Sequence, residues 1–341
     1  MHHPTKCNPH GHDGYCGGGG RIAEASPLDP SHAPLLLFDY GRQASDAEFL
    51  FYSIPKKQVL VTRVDEEIRD HRYWTTPQGW LLMAACGSPD MFLWDPFTGT
   101  RISLPPDREG FLLGNCHWRC LLSRKPVVAA HPNCSVDVLV LSLEGAVFWH
   151  CRLGRDERWL RHEYQLPLSP LSTLNGRFIM EFVNTVVMLD LSTESVVFTE
   201  IPVDIDPASL PPCTCFMSRL VESRGDLFCV RFLLSDSQGR IVEGIGVFKL
   251  DLSARVWVKA ELLDGRAFLV HPNEFGASLD PQDTGLKGDC IYYCMQGDKF
   301  TTRMINICTG WKSPLAPSFP PGATNPRLKG YPFSTGLNNR C

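Results

Sequence analysis

Apolar runs broken by short polar turns fill this chain, and one phrase of that pattern recurs about five times: an apolar strand, an Asp or Asn, a Ser/Thr/Gly turn, then a β-branched or aromatic strand. It reads Met91-Phe-Leu-Trp-Asp95-Pro-Phe-Thr-Gly-Thr-Arg-Ile, Val186-Val-Met-Leu-Asp190-Leu-Ser-Thr-Glu-Ser-Val-Val and Val247-Phe-Lys-Leu-Asp251-Leu-Ser-Ala-Arg-Val-Trp. Two looser copies are Phe148-Trp-His-Cys-Arg152-Leu-Gly-Arg-Asp-Glu-Arg-Trp and Met304-Ile-Asn306-Ile-Cys-Thr-Gly-Trp. An Asp or Asn at the strand end accepts hydrogen bonds from backbone amides two residues on, and Gly or Ser tolerates the turn, so the phrase predicts a hairpin. Within Val247 to Leu252, alternation puts Phe248 and Leu250 on one face and Lys249 and Asp251 on the other. A lone hairpin is marginal in water, so each copy needs neighbouring strands and an apposed sheet. Radial repetition supplies both, and the pattern predicts an all-β fold: a single β-propeller of about six or seven blades. Closure of the ring is expected from Leu35 to Phe38 meeting a strand near Ile305.

Three regions follow. Residues 1–33 hold His2, His3, Cys7, His10, His12, Cys16 and the Gly17–Gly20 run, with little to build a core, and are expected to be a disordered tail. The His and Cys spacing is too irregular for a metal site, and the glycine run lacks the strand and helix that frame a phosphate-binding loop. Residues 34–318 are the expected propeller and 319–341 an irregular C-terminal tail. The Pro-rich breaks at 104–106, 207–212 and 314–321 are too short to link independent domains.

Composition narrows the function. Among 341 residues, 33 Lys and Arg oppose 37 Asp and Glu, a net charge of -4 that argues against a nucleic-acid partner. Apolar residues make up 43% of the chain without any run of the roughly 18 that a membrane span needs, so no membrane partner is expected either. The first residues lack the apolar stretch of a secretory signal, which points to a cytoplasmic or nuclear protein with reduced thiols. None of the 14 cysteines continues into a paired zinc knuckle, and most are expected to be small core hydrophobes.

Several segments, taken in order, resemble a known plant family, the propeller domain called domain of unknown function 295, often found behind an F-box. They are Pro34-Leu-Leu-Leu-Phe38, Gly79-Trp-Leu-Leu82, Leu93-Trp-Asp-Pro-Phe-Thr-Gly99 with Leu104-Pro-Pro106, and Arg219-Leu-Val-Glu-Ser-Arg-Gly-Asp-Leu-Phe-Cys-Val230. Val247-Phe-Lys-Leu-Asp251, Trp257, Leu263-Asp-Gly-Arg-Ala-Phe-Leu269 and Cys290-Ile-Tyr-Tyr293 complete the pattern, over roughly residues 34 to 312. The family's Asn-Pro-x-Thr-Gly phrase has Asp95 for its Asn, a change a turn accepts because both side chains cap amides. Residues 1–33 have neither the length nor the apolar content of an F-box.

Catalytic signatures such as Gly-x-Ser-x-Gly and His-Glu-x-x-His do not occur. Cys116 and His117 are adjacent, which in a strand sends them to opposite faces, and His131, His150 and His271 beside apolar runs read as structural. The repetition of Asp95, Asp190 and Asp251 argues for folding, not for one active site. No catalytic residue, cofactor or metal is therefore expected. Trp94, Trp149, Trp159, Trp257 and Trp311 read as blade packing. Trp74, Trp118 and Arg119 are the candidates for partner contact, since exposed aromatics with Arg favour interface hot spots. The expected function is a monomeric, non-enzymatic interaction module binding a protein or peptide through loops on one face. Two alternatives stand beside it: substrate recognition in a ubiquitin ligase, and an enzyme or small-ligand binder using the central channel.

Overall fold

The computed structural model describes residues 28–39, 48–63, 71–112, 118–127, 135–142, 146–164, 171–182, 184–191, 196–205, 216–234, 242–270, 276–295, 301–306, 312–315, 329–332 and 337–338. These form β-sheets almost throughout. Strands β1 (Leu35–Asp39), β2 (Glu48–Ser53) and β3 (Gln58–Arg63) make the first sheet. The first blade is β4 (His71–Thr75), β5 (Leu81–Ala85), β6 (Met91–Trp94) and β7 (Arg101–Ser103). The second is β8 (Trp118–Leu122), β9 (Asp137–Ser142), β10 (Val147–Arg152) and β11 (Leu160–Glu163). The third is β12 (Leu171–Leu174), β13 (Arg177–Phe182), β14 (Thr185–Asp190) and β15 (Val197–Pro202). The fourth takes β16 (Asp204–Ile205), β17 (Phe216–Ser223), β18 (Asp226–Leu234), β19 (Val242–Asp251) and β20 (Val256–Lys259). The fifth takes β21 (Ala267–Val270), β22 (Gly276–Leu279), β23 (Cys290–Met295), β24 (Thr301–Asn306) and β25 (Lys312–Leu315). Two further strands, β26 (Lys329–Pro332) and β27 (Leu337–Asn338), come from the stretch expected to be irregular.

The recurring phrase falls once in each blade, at the hairpins β6–β7, β10–β11, β14–β15, β19–β20 and β24–β25. Its chemistry is as the residues suggest. Asp95 Oδ1 accepts from Phe97 N at 2.9 Å, and Gly99 closes that turn at φ +70°. Asp251 Oδ1 accepts from Ser253 N and Ala254 N at 2.9 and 2.8 Å. In the copy that lacks the first Asp, Asp156 does the work, its Oδ2 accepting from Arg152 N at 2.7 Å.

This placement corrects the expected ring of about six or seven blades: the phrase-bearing propeller has five. A further sheet, ordered β26-β1-β2-β3, carries no copy of the phrase and is assembled from both ends of the chain. Its β26 pairs with β1 and lies beside β23 and β27, while β27 adds to the first blade at β4. The N-terminal strand thus closes on residues 329–332, not on the region of Ile305, whose strand is taken by β23 and β25. The physical reason is that register depends on strands nearly 300 residues apart, which no local pattern encodes.

Apolar layers fill the spaces between neighbouring sheets. Phe51, Tyr73 and Met83 join the closing sheet to the first blade, and Trp74, Trp80, Leu93, Val138, Trp149 and Trp159 join the first to the second. Phe148, Phe178 and Leu189 join the second to the third, Ile179, Cys229 and Trp257 the third to the fourth, and Phe228, Val247, Phe268 and Tyr293 the fourth to the fifth. Burying one such side chain stabilises the fold by about 1.5–3 kcal/mol, so these layers supply most of what holds the blades in contact.

Cysteines split into two groups. Among the described residues, Cys120, Cys151, Cys229 and Cys290 are buried and outside any disulfide, as small core hydrophobes should be. Cys86 is disulfide-bonded and so departs from the expectation of reduced thiols. No helix of the described residues is long and apolar enough to cross a membrane.

Candidate functional site

Trp74 and Trp118 are only 1% and 5% exposed, packed with Trp80, Trp149 and Trp159 between the first two blades. The exposed-loop premise for these two therefore fails. They are strand residues on a face that the next blade covers: Trp74 pairs in register with Leu82, and Trp118 with Ser142. Phe111 stacks on Trp149 at 4.4 Å and meets Trp118 edge-on at 5.8 Å, and Asp107 fixes its loop by accepting from the amides of Phe111 and Leu112 at 3.0 and 2.9 Å. Arg119, between two buried neighbours, is half-buried. Cys116, His117, His131, His271, Trp311 and the His- and Cys-rich stretch up to Cys16 lie outside the described residues.

Two polar clusters stand out, one buried between the third and fourth blades and one within the second. Glu181 on β13 and Arg231 on β18 form an ion pair at 2.9 Å with both side chains about 95% covered, and Arg231 also lies over the rings of Phe216 and Phe248 at 5.1 and 5.0 Å. Cys229 Sγ points at the same carboxylate at 3.3 Å, and burial, with Glu181 next, holds its thiol protonated. On β10, His150 Nδ1 meets His162 Nε2 at 2.9 Å, the rings stacked with centroids 4.9 Å apart. Burial pushes His150 down to about 4 and His162 in the same direction, so both are neutral near pH 7. No group of three or more metal-ligating side chains occurs among the described residues.

The surface feature that stands out is a groove of about 510 Å³ along the turns of the fourth blade. Leu227, Phe228 and Leu250 form its floor, the β19–β20 turn with Leu252 and Ser253 one wall, and the loop from Ala260 to Asp264 another. The local sequence explains its shape. Beyond Trp257 the β20 strand turns Val258 outward, and the following loop is pinned by Asp289 Oδ1, which accepts from Leu263 N at 2.7 Å and Gly265 N at 3.2 Å. Leu263 is thereby buried and Leu262 turned outward, and Leu252, Val258 and Leu262, which are 44%, 51% and 56% exposed, all line the groove.

Lys249 and Asp251 among its polar groups are held by hydrogen bonds. Lys249 Nζ lies 2.7 Å from Asp226 and 3.9 Å from Asp264, and the bond to Asp226 holds the ammonium above its ordinary range. The Ser253 hydroxyl donates to Asp251 Oδ1 at 2.6 Å and, with the amide of Ala254, keeps that carboxyl below the usual range. A general base or nucleophile needs a proton affinity matched to neutral pH, and neither Lys249 nor Asp251 has one. Sequence reasoning missed the groove because the three apolar residues come from a turn, a strand and a loop that only the fold brings together; the one signal was Val258 to Leu262, where Val258, Ala260 and Leu262 alternate with Lys259 and Glu261 past the end of the strand.

Fold and sheet order define an all-β propeller. Residues 51–314 match the KIB1-4 beta-propeller family, and the chain belongs to it. That span holds all five phrase-bearing blades almost to the end of β25, while most of the closing sheet lies outside it. No curated protein matches the chain. Solved structures that resemble it include a luciferin-regenerating enzyme (13% identity, covering 90% of this chain and 89% of that one, TM-score 0.35). Others are the dihydro-heme d1 dehydrogenase NirN (13%, 90% and 66%, 0.35) and Kluyveromyces lactis Hsv2 (13%, 83% and 73%, 0.37). At such scores these likenesses carry no argument about activity.

Proposed function

We propose that this chain is a non-enzymatic interaction module that binds a protein or peptide through the turn-bearing groove of its fourth blade. The observation that carries the reading is that the exposed Leu252, Val258 and Leu262 line one groove, in which Lys249 is paired with Asp226 and Asp251 caps a turn. Exposed apolar side chains grouped on a folded surface mark partner sites more often than they serve stability. The finer resemblance, to plant propellers of the domain of unknown function 295 kind, and a cytoplasmic or nuclear setting belong to the same proposal, as does action as a monomer.

The test is affinity capture from plant extract with the full chain and with a Val258→Asp, Leu262→Asp double variant, compared by quantitative mass spectrometry. Both positions are exposed, so the variant should fold. The reading expects at least one protein recovered by the native chain and lost with the variant. Identical recovery by both would contradict it, and a cullin adaptor among the lost proteins would specify a ligase role.

A further inference from the structure

We infer that the occupant of this groove is a basic, apolar peptide segment of a partner protein, one that alternates Lys or Arg with Leu-like side chains; this rests on the binding reading above. The argument is one of charge left over. Asp226, Asp251 and Asp264 line the groove against Lys249 and Lys259. Lys249 is already bonded to Asp226, which neutralises that pair within the groove. Asp251 accepts its hydrogen bonds on Oδ1, leaving Oδ2 without a partner among the described residues. Asp264 is 61% exposed and lies 3.9 Å from a lysine that Asp226 holds at 2.7 Å. Two carboxylates therefore face the groove with unspent acceptor capacity, while Lys259 is the one lining cation not engaged with Asp226.

The apolar rim fixes the rest of the ligand's character. Leu252 and Val258 line the groove together with Asp251, and Leu262 stands two residues from Asp264. A peptide that places an aliphatic side chain on Val258 and Leu262 puts its neighbouring side chains within reach of the two carboxylates. A cation there gains a charge-assisted bond, whereas an acidic residue meets like charge.

The test measures fluorescence anisotropy of three labelled ten-residue peptides, alternating Lys-Leu, Glu-Leu and Lys-Gly, against the full chain, an Asp251→Asn, Asp264→Asn variant and a Leu262→Ser variant. Asn keeps the turn-capping oxygen, so the fold is preserved. Expected is binding of the Lys-Leu peptide, weakened about three- to tenfold by each variant and by added salt, with the other two peptides at least tenfold weaker. Equal or tighter binding of the Glu-Leu peptide, lost with Leu262→Ser, would overturn the charge preference and leave the binding reading standing. Equal binding of Lys-Gly would overturn the apolar requirement. No binding that responds to either variant would overturn this inference, and an unchanged capture by the Val258, Leu262 variant would remove the binding reading as well.

Discussion

At the scale of single residues, the His150–His162 contact makes a pH prediction with a definite sign. Both imidazoles bind protons less readily in the folded chain than the ordinary value of 6.5, His150 down to about 4, because burial disfavours the charged ring. Between those values the unfolded chain holds more protons, so stability rises with pH there and is lost on acidification from about 6.5 towards 4. Replacing His150 with Gln should remove on the order of 1–2 kcal/mol of that acid-side loss, read as a flatter plot of urea midpoint against pH. An unchanged slope would mean the pair is not the titrating element. The same scale shows what local sequence encodes. Asp95 and Asp251 were readable as turn caps because their partners lie two or three residues away. The burial of Trp74 and Trp118 was not, since a strand residue's exposure depends on the blade that covers it. Asp95→Ala should cost about 1 kcal/mol of stability and Asp95→Asn much less, measured by thermal melting, because only Ala loses the acceptor.

At the scale of elements, the five hairpins were legible and their packing was not. Each phrase pairs within itself, but which face meets which neighbour depends on register across blades. The Glu181–Arg231 pair shows the consequence: its members lie on β13 and β18 and meet only when the third and fourth blades pack. Truncating one partner strands a buried charge. Glu181→Leu should therefore destabilise the chain by about 3–5 kcal/mol, while Glu181→Leu with Arg231→Met should recover most of the loss. Denaturant unfolding of the two variants decides this. If the double variant is as unstable as the single one, packing shape and not charge governs that joint. The groove is likewise a product of elements meeting: the β19–β20 turn is readable in isolation, but its position beside the Ala260–Asp264 loop depends on the bonds that Asp289 accepts from another part of the chain.

At the scale of the whole molecule, the ring is held at one point by strands from both ends. β26 and β27 come from residues 329–338 and pair with β1 and β4. Deleting residues 319–341 removes those pairings, and the thermal midpoint should fall by roughly 5 °C; no change would show that the closing sheet contributes nothing to stability. Length and repeat spacing suggested too many blades because they carry no information on how the ends are shared, whereas the number of phrase copies matches the number of blades that bear them. The central claim is that this propeller works through the rim of its fourth blade. It is tested most directly by amide hydrogen exchange of the full chain, alone and with the protein recovered by affinity capture. Protection confined to the segments around 249–253 and 258–264 is predicted. Protection elsewhere, with that rim exchanging at its free rate, would contradict the account.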